Sequence, residues 1–204
     1  MYKCIAFDVN GTLIDTESLV LEALQATLRD EGRDMDQKAL EFSLGIPAKV
    51  TLDKLGFEDK EEAMKRWTGY MRQFQDRVTV FPGVVDTLKD LKQQGMKMGI
   101  VTSQTSEQLT ETLAYLNLTD YFDIKIGADD VARPKPYPDP LLALIKEAGT
   151  QASETLFIGD TLNDQACAQE AHIDFGLAAW GLTRGDIGNY DYLFSSPRDI
   201  MKLV

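Results

Sequence analysis

The sequence predicts an α/β protein with a doubly wound, Rossmann-like parallel sheet and an inserted all-helical domain. Short apolar runs rich in Val, Ile and Phe alternate with longer segments whose apolar residues recur every three or four positions. Strand and helix repeated in this way indicate a parallel sheet with helices on both faces. Residues 15–80 interrupt the alternation with helical patterns alone. We therefore expect a core domain formed by residues 1–14 and 81–204 and a helical domain formed by residues 15–80.

The core elements follow one another along the chain as strand and helix in turn. Each predicted strand is a short apolar run, and the runs cover residues 3–9, 96–102, 122–127, 155–160 and 173–180, with a short edge strand at 192–194. Each predicted helix shows an apolar stripe with a period near 3.6, and the helices cover residues 88–94, 106–116, 139–148 and 164–171.

The insertion contains about four helical segments and no convincing strand. The segments cover residues 16–32, 37–45, 48–56 and 60–78. The insertion begins at Asp15 and ends before the sequence FPG at 81–83, where Pro82 and Gly83 stop one element before the next helix. Its last segment carries an aromatic and Met stripe that is more typical of a core than of a substrate contact; the stripe consists of Trp67, Tyr70, Met71 and Phe74.

Composition limits the partners and the compartment. The 204 residues are 44% hydrophobic and carry a net charge of −12, which disfavours nucleic acid and anionic membrane surfaces as partners. We find no signal-peptide pattern and no apolar run long enough to span a bilayer, and we therefore expect a cytoplasmic protein. Cys4 and Cys167 lie in apolar elements and are predicted to be buried thiols, while His172 follows an apolar helix and is predicted to be structural.

Polar side chains follow four of the predicted strands. Because the carboxyl ends of parallel strands meet at one edge of the sheet, we expect these side chains to lie close together. Grouped carboxylates repel one another unless a divalent cation such as Mg²⁺ neutralises them, and hydroxyl and ammonium groups beside that cation suit a phosphate. An aspartate can serve as the nucleophile through an aspartyl-phosphate. The residues at this edge are Asp8, Asn10, Thr102, Ser103, Lys135, Asp160 and Asp164.

Each of these features also has a structural interpretation. Asn10 and Gly11 form a dipeptide that is common in tight turns. Lys135 taken alone is a loop lysine, although four prolines at positions 134, 136, 138 and 140 stiffen its loop and could hold its side chain in one place. Asp160 and Asp164 could cap the following helix.

The ordered set of motifs resembles the haloacid dehalogenase superfamily. The set consists of DVNGTL at 8–13, Thr102 after an apolar strand, KPYPD at 135–139 and GDTLND at 159–164. The 15–80 insertion lies where members with a helical C1-type cap carry that domain, and the pattern is similar to the branch of phosphoglycolate phosphatases and β-phosphoglucomutases.

The resemblance implies a role for each matching residue. Asp8 would be the nucleophile and a Mg²⁺ ligand, the backbone carbonyl of Asn10 a further ligand, and Asp160 and Asp164 would bind the metal directly or through water. The residues implied to bind the phosphoryl group are Gly11, Thr102, Ser103 and Lys135, and Lys135 would also steady the nucleophile.

Residue 10 departs from the pattern of the family. The phosphatases carry an aspartate there that protonates the leaving oxygen and then activates water, and an amide cannot shuttle a proton, which typically reduces the rate about 10²- to 10⁴-fold. Three explanations are open. Asn10 was introduced or arose incidentally in an otherwise intact phosphatase; the chain is a natural relative with weak or altered activity; or the Asn-Gly bond deamidates and some molecules carry aspartate or isoaspartate.

The expected substrate is a small phosphorylated metabolite, such as phosphoglycolate or a sugar phosphate. In the mutase branch a cap loop carries a serine and an arginine at the positions of Pro47 and Ala48, which argues against a mutase even though Lys49 could partly substitute. A dehalogenase needs no metal and is disfavoured by the paired acids. The alternative from another class is a non-catalytic phosphate-ligand binder or regulatory protein, and the oligomeric state is open between monomer and homodimer.

Overall fold

A computed structural model describes residues 2–44, 48–181 and 188–204. Within these ranges the strands are β1 (Cys4–Phe7), β2 (Ile14–Asp15), β3 (Thr79–Val80), β4 (Lys97–Val101), β5 (Ile124–Ile126), β6 (Thr155–Gly159), β7 (Asp174–Ala178) and β8 (Tyr192–Phe194). The α-helices are α1 (Glu17–Arg29), α2 (Gln37–Leu40), α3 (Ala48–Lys54), α4 (Lys60–Gln73), α5 (Val84–Gln93), α6 (Ser106–Tyr115), α7 (Asp139–Ala148) and α8 (Leu162–Ala171).

Six strands form one parallel sheet with the order β5-β4-β1-β6-β7-β8. The chain extends the sheet from β1 in one direction through β4 and β5, and then in the other direction through β6, β7 and β8. The strand order therefore reverses beside β1, which is where ligands bind in open α/β sheets. In the register, Phe7 lies opposite both Ile100 and Ile158. The residues that follow β1, β4 and β6 consequently emerge at the same edge.

Helices cover both faces of this sheet, as expected for the predicted class. Alternate residues of a strand point to opposite faces, and Cys4 and Ala6 belong to a buried cluster that includes Leu141 and Leu144 of α7 and Cys167 of α8. On the opposite face, Phe7 lines one small pocket together with side chains of α5 and of the segment Pro197–Leu203; these are Val84, Leu88, Pro197 and Ile200. The doubly wound parallel sheet predicted from the sequence is confirmed.

The chain divides into two compact units, Met1–Ile14 with Val80–Val204, and Asp15–Thr79. The second unit has a core of its own, built on α1 to α4; its fully buried members include Ala23, Leu24, Leu28, Leu40, Leu52 and Ala63. Trp67 is 6% exposed, and Tyr70, Met71 and Phe74 pack against the same cluster. The prediction that this stripe belongs to a core is confirmed.

The predicted elements are observed with shifted ends. Helices α5 and α8 begin at Val84 and Leu162, earlier than their apolar stripes indicated, and the helix expected over 37–45 is one α-turn followed by a 3₁₀ segment, Glu41–Ser43. The prediction that residues 15–80 contain no strand is wrong at both ends, where β2 and β3 pair with each other. Two-residue strands are too short to show an alternating pattern.

The predictions for Cys4, Cys167 and His172, and the prediction about membrane spans, can be compared directly with the structure. Cys4 and Cys167 are fully buried, and burial raises the pKa of their thiols to about 11 and about 12. His172 ends α8 in the left-handed conformation with φ of 54°, a helix-terminal position that agrees with the predicted structural role. Among the described helices, none combines the length and the apolarity needed to cross a bilayer.

Candidate active site

Asp8 is the first residue after the central strand β1, and it is 5% exposed. Its backbone N–H donates to the carbonyl of Ile158 at 2.8 Å, which extends the strand pairing by one residue and fixes the direction of the side chain. The Lys135 ammonium donates to Asp8 Oδ1 at 2.7 Å and to Asp164 Oδ1 at 2.5 Å. All three side chains are nearly inaccessible to solvent. The structure therefore joins the residue after β1, the proline-rich loop and the start of α8 at one buried point.

Three carboxylates converge at this point. One oxygen from each of Asp8, Asp160 and Asp164 can be chosen so that all three oxygens lie within 4.8 Å of one another. Thr12 donates its hydroxyl to Asp160 Oδ1 at 2.9 Å. Lys135 is the one cation that hydrogen-bonds this group among the described residues. With all three carboxyl groups ionised, it leaves two negative charges unbalanced. All-oxygen ligation of this charge is what a Mg²⁺ ion prefers, so the donor set fits the expected metal.

Burial and neighbouring charges shift the pKa values of Asp8, Asp160 and Lys135. Burial raises the pKa of Asp8 to about 6, with the attraction of Lys135 opposing that rise and the repulsion of Asp164 adding to it. Burial, followed by the charges of Asp8 and Asp164, raises the pKa of Asp160 well above its usual value. Burial acts to lower the pKa of the Lys135 ammonium, but Asp164 and Asp8 outweigh it and the net shift is upward. The site therefore holds a permanently charged lysine beside carboxylates whose negative charge the lysine offsets only in part.

Asp164 has a structural role in addition to its place in the site. The N-cap of α8 is Thr161, whose hydroxyl accepts from the Asp164 N–H at 3.2 Å, while Asp164 Oδ2 accepts from the Thr161 N–H at 3.0 Å and from its hydroxyl at 2.5 Å. This reciprocal pair is a capping box. The capping interpretation is right for Asp164, through Oδ2, and wrong for Asp160, because the cap residue is Thr161. With Oδ2 fixed by the cap, Oδ1 is left to face Lys135.

A tight turn after β1 brings the main chain against Asp160. The N–H of Gly11 donates to the carbonyl of Ile14 at 2.8 Å, and Gly11 has φ of 83°, in the left-handed region. A Cβ atom at this position would overlap the Asp160 carboxylate. Glycine is therefore required both for the backbone conformation and for the close approach to an acidic side chain. The turn signal in the sequence and the functional interpretation describe the same loop.

The Asn10 side chain is half-buried beside this turn. Its Oδ1 accepts a hydrogen bond of 3.1 Å from Nε2 of Gln104. Deamidation requires the backbone nitrogen of Gly11 to attack the Asn10 amide carbon. In the structure that nitrogen is engaged with Ile14 and the amide is held by Gln104. These two bonds weigh against the third explanation for Asn10, and the other two remain open.

Thr102 is the first residue after β4 and is 1% exposed. Its N–H donates to the carbonyl of Ile126 at 3.1 Å, and its hydroxyl oxygen accepts from the N–H of Gln104 at 3.2 Å. An oxygen that accepts in this way still has its proton to donate. Ser103 is exposed at the same edge. Thr102 is thus oriented as a hydroxyl donor.

The loop that carries Lys135 is braced on its outer side. Arg133 forms a two-pronged ion pair with Asp139, at 3.2 and 2.9 Å, and its guanidinium lies 4.8 Å from the ring centroid of Tyr137. Pro138 and Pro140 flank the start of α7, where proline fits because no intrahelical N–H bond is lost. The expectation of a stiff loop before a helix agrees with these contacts.

Sequence reasoning missed several residues that support the site. Thr161 carries a capping signal, since threonine stands three residues before an acid. Thr12 lies inside the DVNGTL motif, which assigned it no role, and Gln104 and Trp180 show no sequence signal. The indole N–H of Trp180 donates to the carbonyl of Thr12 at 2.8 Å across 168 positions of sequence, and Gln104 reaches Asn10 across 94. Contacts of this kind depend on the sheet order, which a single sequence does not provide.

Comparison with known proteins gives a consistent result. A family model described as haloacid dehalogenase-like hydrolase matches residues 5–178. A phosphoglycolate phosphatase of Aquifex aeolicus is 31% identical, and the alignment covers 99% of this chain and 96% of that protein. The pyrophosphatase PpaX of Oceanobacillus iheyensis is 29% identical with the same two coverages. The crystal structure of a candidate phosphoglycolate phosphatase from Lactobacillus plantarum has a TM-score of 0.88 at 27% identity, with 100% of both chains covered.

Proposed function

This chain belongs to the haloacid dehalogenase-like hydrolases, and we propose that it is a Mg²⁺-dependent phosphatase of small phosphorylated metabolites that Asn10 slows. The observation that carries the proposal is the buried contact of Lys135 with Asp8 and Asp164, at 2.7 and 2.5 Å, inside a group of three carboxylates. Phosphoryl transfer depends mainly on positioning and on neutralising negative charge. A site of this charge pattern suits that reaction.

In the proposed reaction, Asp8 attacks phosphorus and the bond between phosphorus and the leaving oxygen breaks. The buried position of Asp8 and the bond from Lys135 fix the attacking oxygen in one direction. The Thr102 hydroxyl and the backbone N–H of Ser103 donate to the phosphoryl oxygens, and Lys135 offsets the charge that develops on them. Hydrolysis of the aspartyl-phosphate then returns Asp8 and releases phosphate.

Asp8, Asp160 and Asp164, with the carbonyl of residue 10, are the groups that we propose hold Mg²⁺. When bound, the ion supplies the positive charge that lets an anionic phosphate approach anionic Asp8. Thr12 orients Asp160 and Thr161 orients Asp164 through the hydrogen bonds described above. Such outer contacts fix the direction of a ligand oxygen before the metal arrives.

Both chemical steps are slow in this form because residue 10 is an amide. The first step needs a proton for the leaving oxygen, and the second needs a base for water; Asn10 supplies neither. A non-catalytic binder would show the same amide, but the complete set of nucleophile, lysine and acids favours the enzyme.

We further propose phosphoglycolate or a compound of similar size as the substrate, and the Asp15–Thr79 unit as the cap domain that selects it. The similarity to a phosphoglycolate phosphatase over nearly the whole of both chains supports this substrate class. Of the two positions that argue against a mutase, Pro47 lies outside the described residues, and Ala48 begins α3 without a side chain that could bind phosphate.

A leaving-group experiment tests the proposal. An aryl or acyl phosphate needs no proton on its leaving group, so the first step proceeds without an acid at residue 10 while the second stays slow. We expect p-nitrophenyl phosphate with Mg²⁺ to release a burst of about one equivalent of p-nitrophenol per chain, followed by slow turnover. Acid quenching and mass spectrometry should locate the phosphoryl group on Asp8.

The matched control for the burst is Asp8→Asn, which keeps the size of the side chain and removes the nucleophile. It should show neither burst nor label. Two results would contradict Asp8 as the nucleophile. One is release of p-nitrophenol with no phosphoryl group found on Asp8, and the other is the same amount of phosphorylated protein in the Asp8→Asn variant. An alkyl ester should give no burst in either protein, because its leaving oxygen requires the proton that Asn10 cannot provide.

Mg²⁺ should stabilise the folded chain even when no substrate is present. At a free concentration about 100 times the dissociation constant, binding adds about 2.7 kcal/mol to the free energy of unfolding. A thermal titration at constant ionic strength measures this rise, and Asp160→Asn is the control because the amide keeps its acceptor for Thr12 and loses its charge. An equal Mg²⁺ response in the two proteins would rule out the carboxylate group as the metal site.

A further inference from the structure

Gln104 connects three loops at the carboxyl edge of the sheet. Its N–H donates to the Thr102 hydroxyl oxygen at 3.2 Å, its side-chain Nε2 donates to Asn10 Oδ1 at 3.1 Å, and its carbonyl accepts from the N–H of Ala128 at 2.7 Å. The loops after β1, β4 and β5 therefore meet at one residue. Its main chain hydrogen-bonds Thr102 and Ala128, whereas its side chain hydrogen-bonds residue 10.

The Gln104 amide is satisfied on one side only. Its Oε1 is buried and has no hydrogen-bond partner within the described part of the chain. A buried polar atom without a partner costs about 1–3 kcal/mol. This cost offsets what the single hydrogen bond to Asn10 contributes, so the Gln104 side chain is not explained by a gain in fold stability. What the side chain does is present a donor to the oxygen of residue 10.

We propose that Gln104 is a positioning residue that sets the direction of the residue 10 side chain in the reaction. The inference rests on the proposed function. An N–H donor suits an amide oxygen and a carboxylate oxygen equally, so the same contact would hold an aspartate at position 10 with one oxygen fixed and the other directed away from Gln104. In the Asn10 protein the pocket for a proton-transferring acid is retained, while the acid is absent.

The main chain and the side chain of Gln104 make different contacts, so a substitution at this position removes only the contact with residue 10. Thr102 is oriented by the main chain of Gln104, and replacing the side chain leaves that bond in place. Phosphate binding, and with it KM, should therefore stay within about twofold. A misplaced proton-transfer group lowers the chemical step by about tenfold or more, and this loss should appear in kcat.

The experiment is a double-mutant cycle between residues 104 and 10, with p-nitrophenyl phosphate and an alkyl ester as substrates. In the Asn10→Asp form, Gln104→Leu should lower kcat for the alkyl ester at least about tenfold with KM nearly unchanged. In the Asn10 protein the same substitution should cost much less, because residue 10 transfers no proton there. Gln104→Glu is a second variant of nearly the same size. Its carboxylate can accept a hydrogen bond from the Asn10 amide but not from an aspartate. It should therefore also lower kcat more in the Asn10→Asp form than in the Asn10 protein, which keeps the test available if the leucine variant folds poorly.

Equal losses of kcat in the two residue 10 forms, or a loss confined to KM, would overturn the positioning role. Failure of the proposed function appears separately: Asn10→Asp with Gln104 intact would then hydrolyse neither ester. Thermal unfolding of each variant identifies any loss that comes from the fold, and only variants that unfold like their parent enter the cycle.

Discussion

Replacing Asn10 with aspartate is expected to raise kcat for alkyl phosphate esters by about 10²- to 10⁴-fold. The substitution changes one amide nitrogen to oxygen, and the Gln104 donor 3.1 Å from Asn10 Oδ1 can bind the carboxylate in the same way. The new carboxyl group can give a proton to the leaving oxygen and take one from water. Both slow steps, transfer to Asp8 and hydrolysis of the aspartyl-phosphate, should become faster. The steady-state rate of hydrolysis of a panel of esters with Mg²⁺ therefore measures the effect directly.

The gain should depend on the leaving group. Hydrolysis of an alkyl ester needs a proton for the leaving oxygen in the first step and a base for water in the second, whereas p-nitrophenyl phosphate needs only the base, so the alkyl ester should gain more. Asn163→Asp is the matched control: it makes the same chemical change at an exposed position one residue before Asp164. A similar gain from Asn163→Asp would assign the effect to added negative charge, and no gain from Asn10→Asp for any ester would contradict the proposed role of residue 10.

The fold was predictable from the sequence to the level of class and element order. Apolar runs and helical stripes are local signals, and each core strand and helix produced one. The two-residue strands β2 and β3 produced none. The strand order could not be obtained either, because it depends on which strands pair across more than 90 positions, as Phe7 does with Ile100.

The candidate site was predictable where a residue follows directly from the end of a strand, as for Asp8, Thr102 and Asp160. Lys135 was harder to place: it lies in a loop several residues past the end of β5, and its distance of 2.7 Å from Asp8 depends on how the proline-rich loop folds back over the sheet edge. Gln104 carried no signal at all. Its side chain matters because of where β4 ends relative to the turn after β1, and that relation exists only in the folded sheet.

Replacing Lys135 with methionine should lower the free energy of unfolding by about 3–5 kcal/mol in the absence of metal. The substitution keeps most of the apolar stem and removes the ammonium, so Asp8 and Asp164 lose their shared partner inside the protein. Chemical denaturation without divalent ions measures the loss. Because Mg²⁺ supplies positive charge to the same carboxylates, it should restore more stability to this variant than it adds to the unmodified protein.

Lys202 provides the matched control for this prediction. Its ammonium lies 2.6 Å from Asp199, almost the same as the 2.5 Å between Lys135 and Asp164, but its side chain is 76% exposed against 3%. An exposed pair contributes at most about 1 kcal/mol, so Lys202→Met should change stability little. Two ion pairs of nearly equal length would then differ several-fold in their contribution to stability because one is buried and the other is exposed. If the two lysine substitutions cost the same, the buried carboxylates do not depend on Lys135 for their charge balance, and the reason for placing a metal beside them is lost as well.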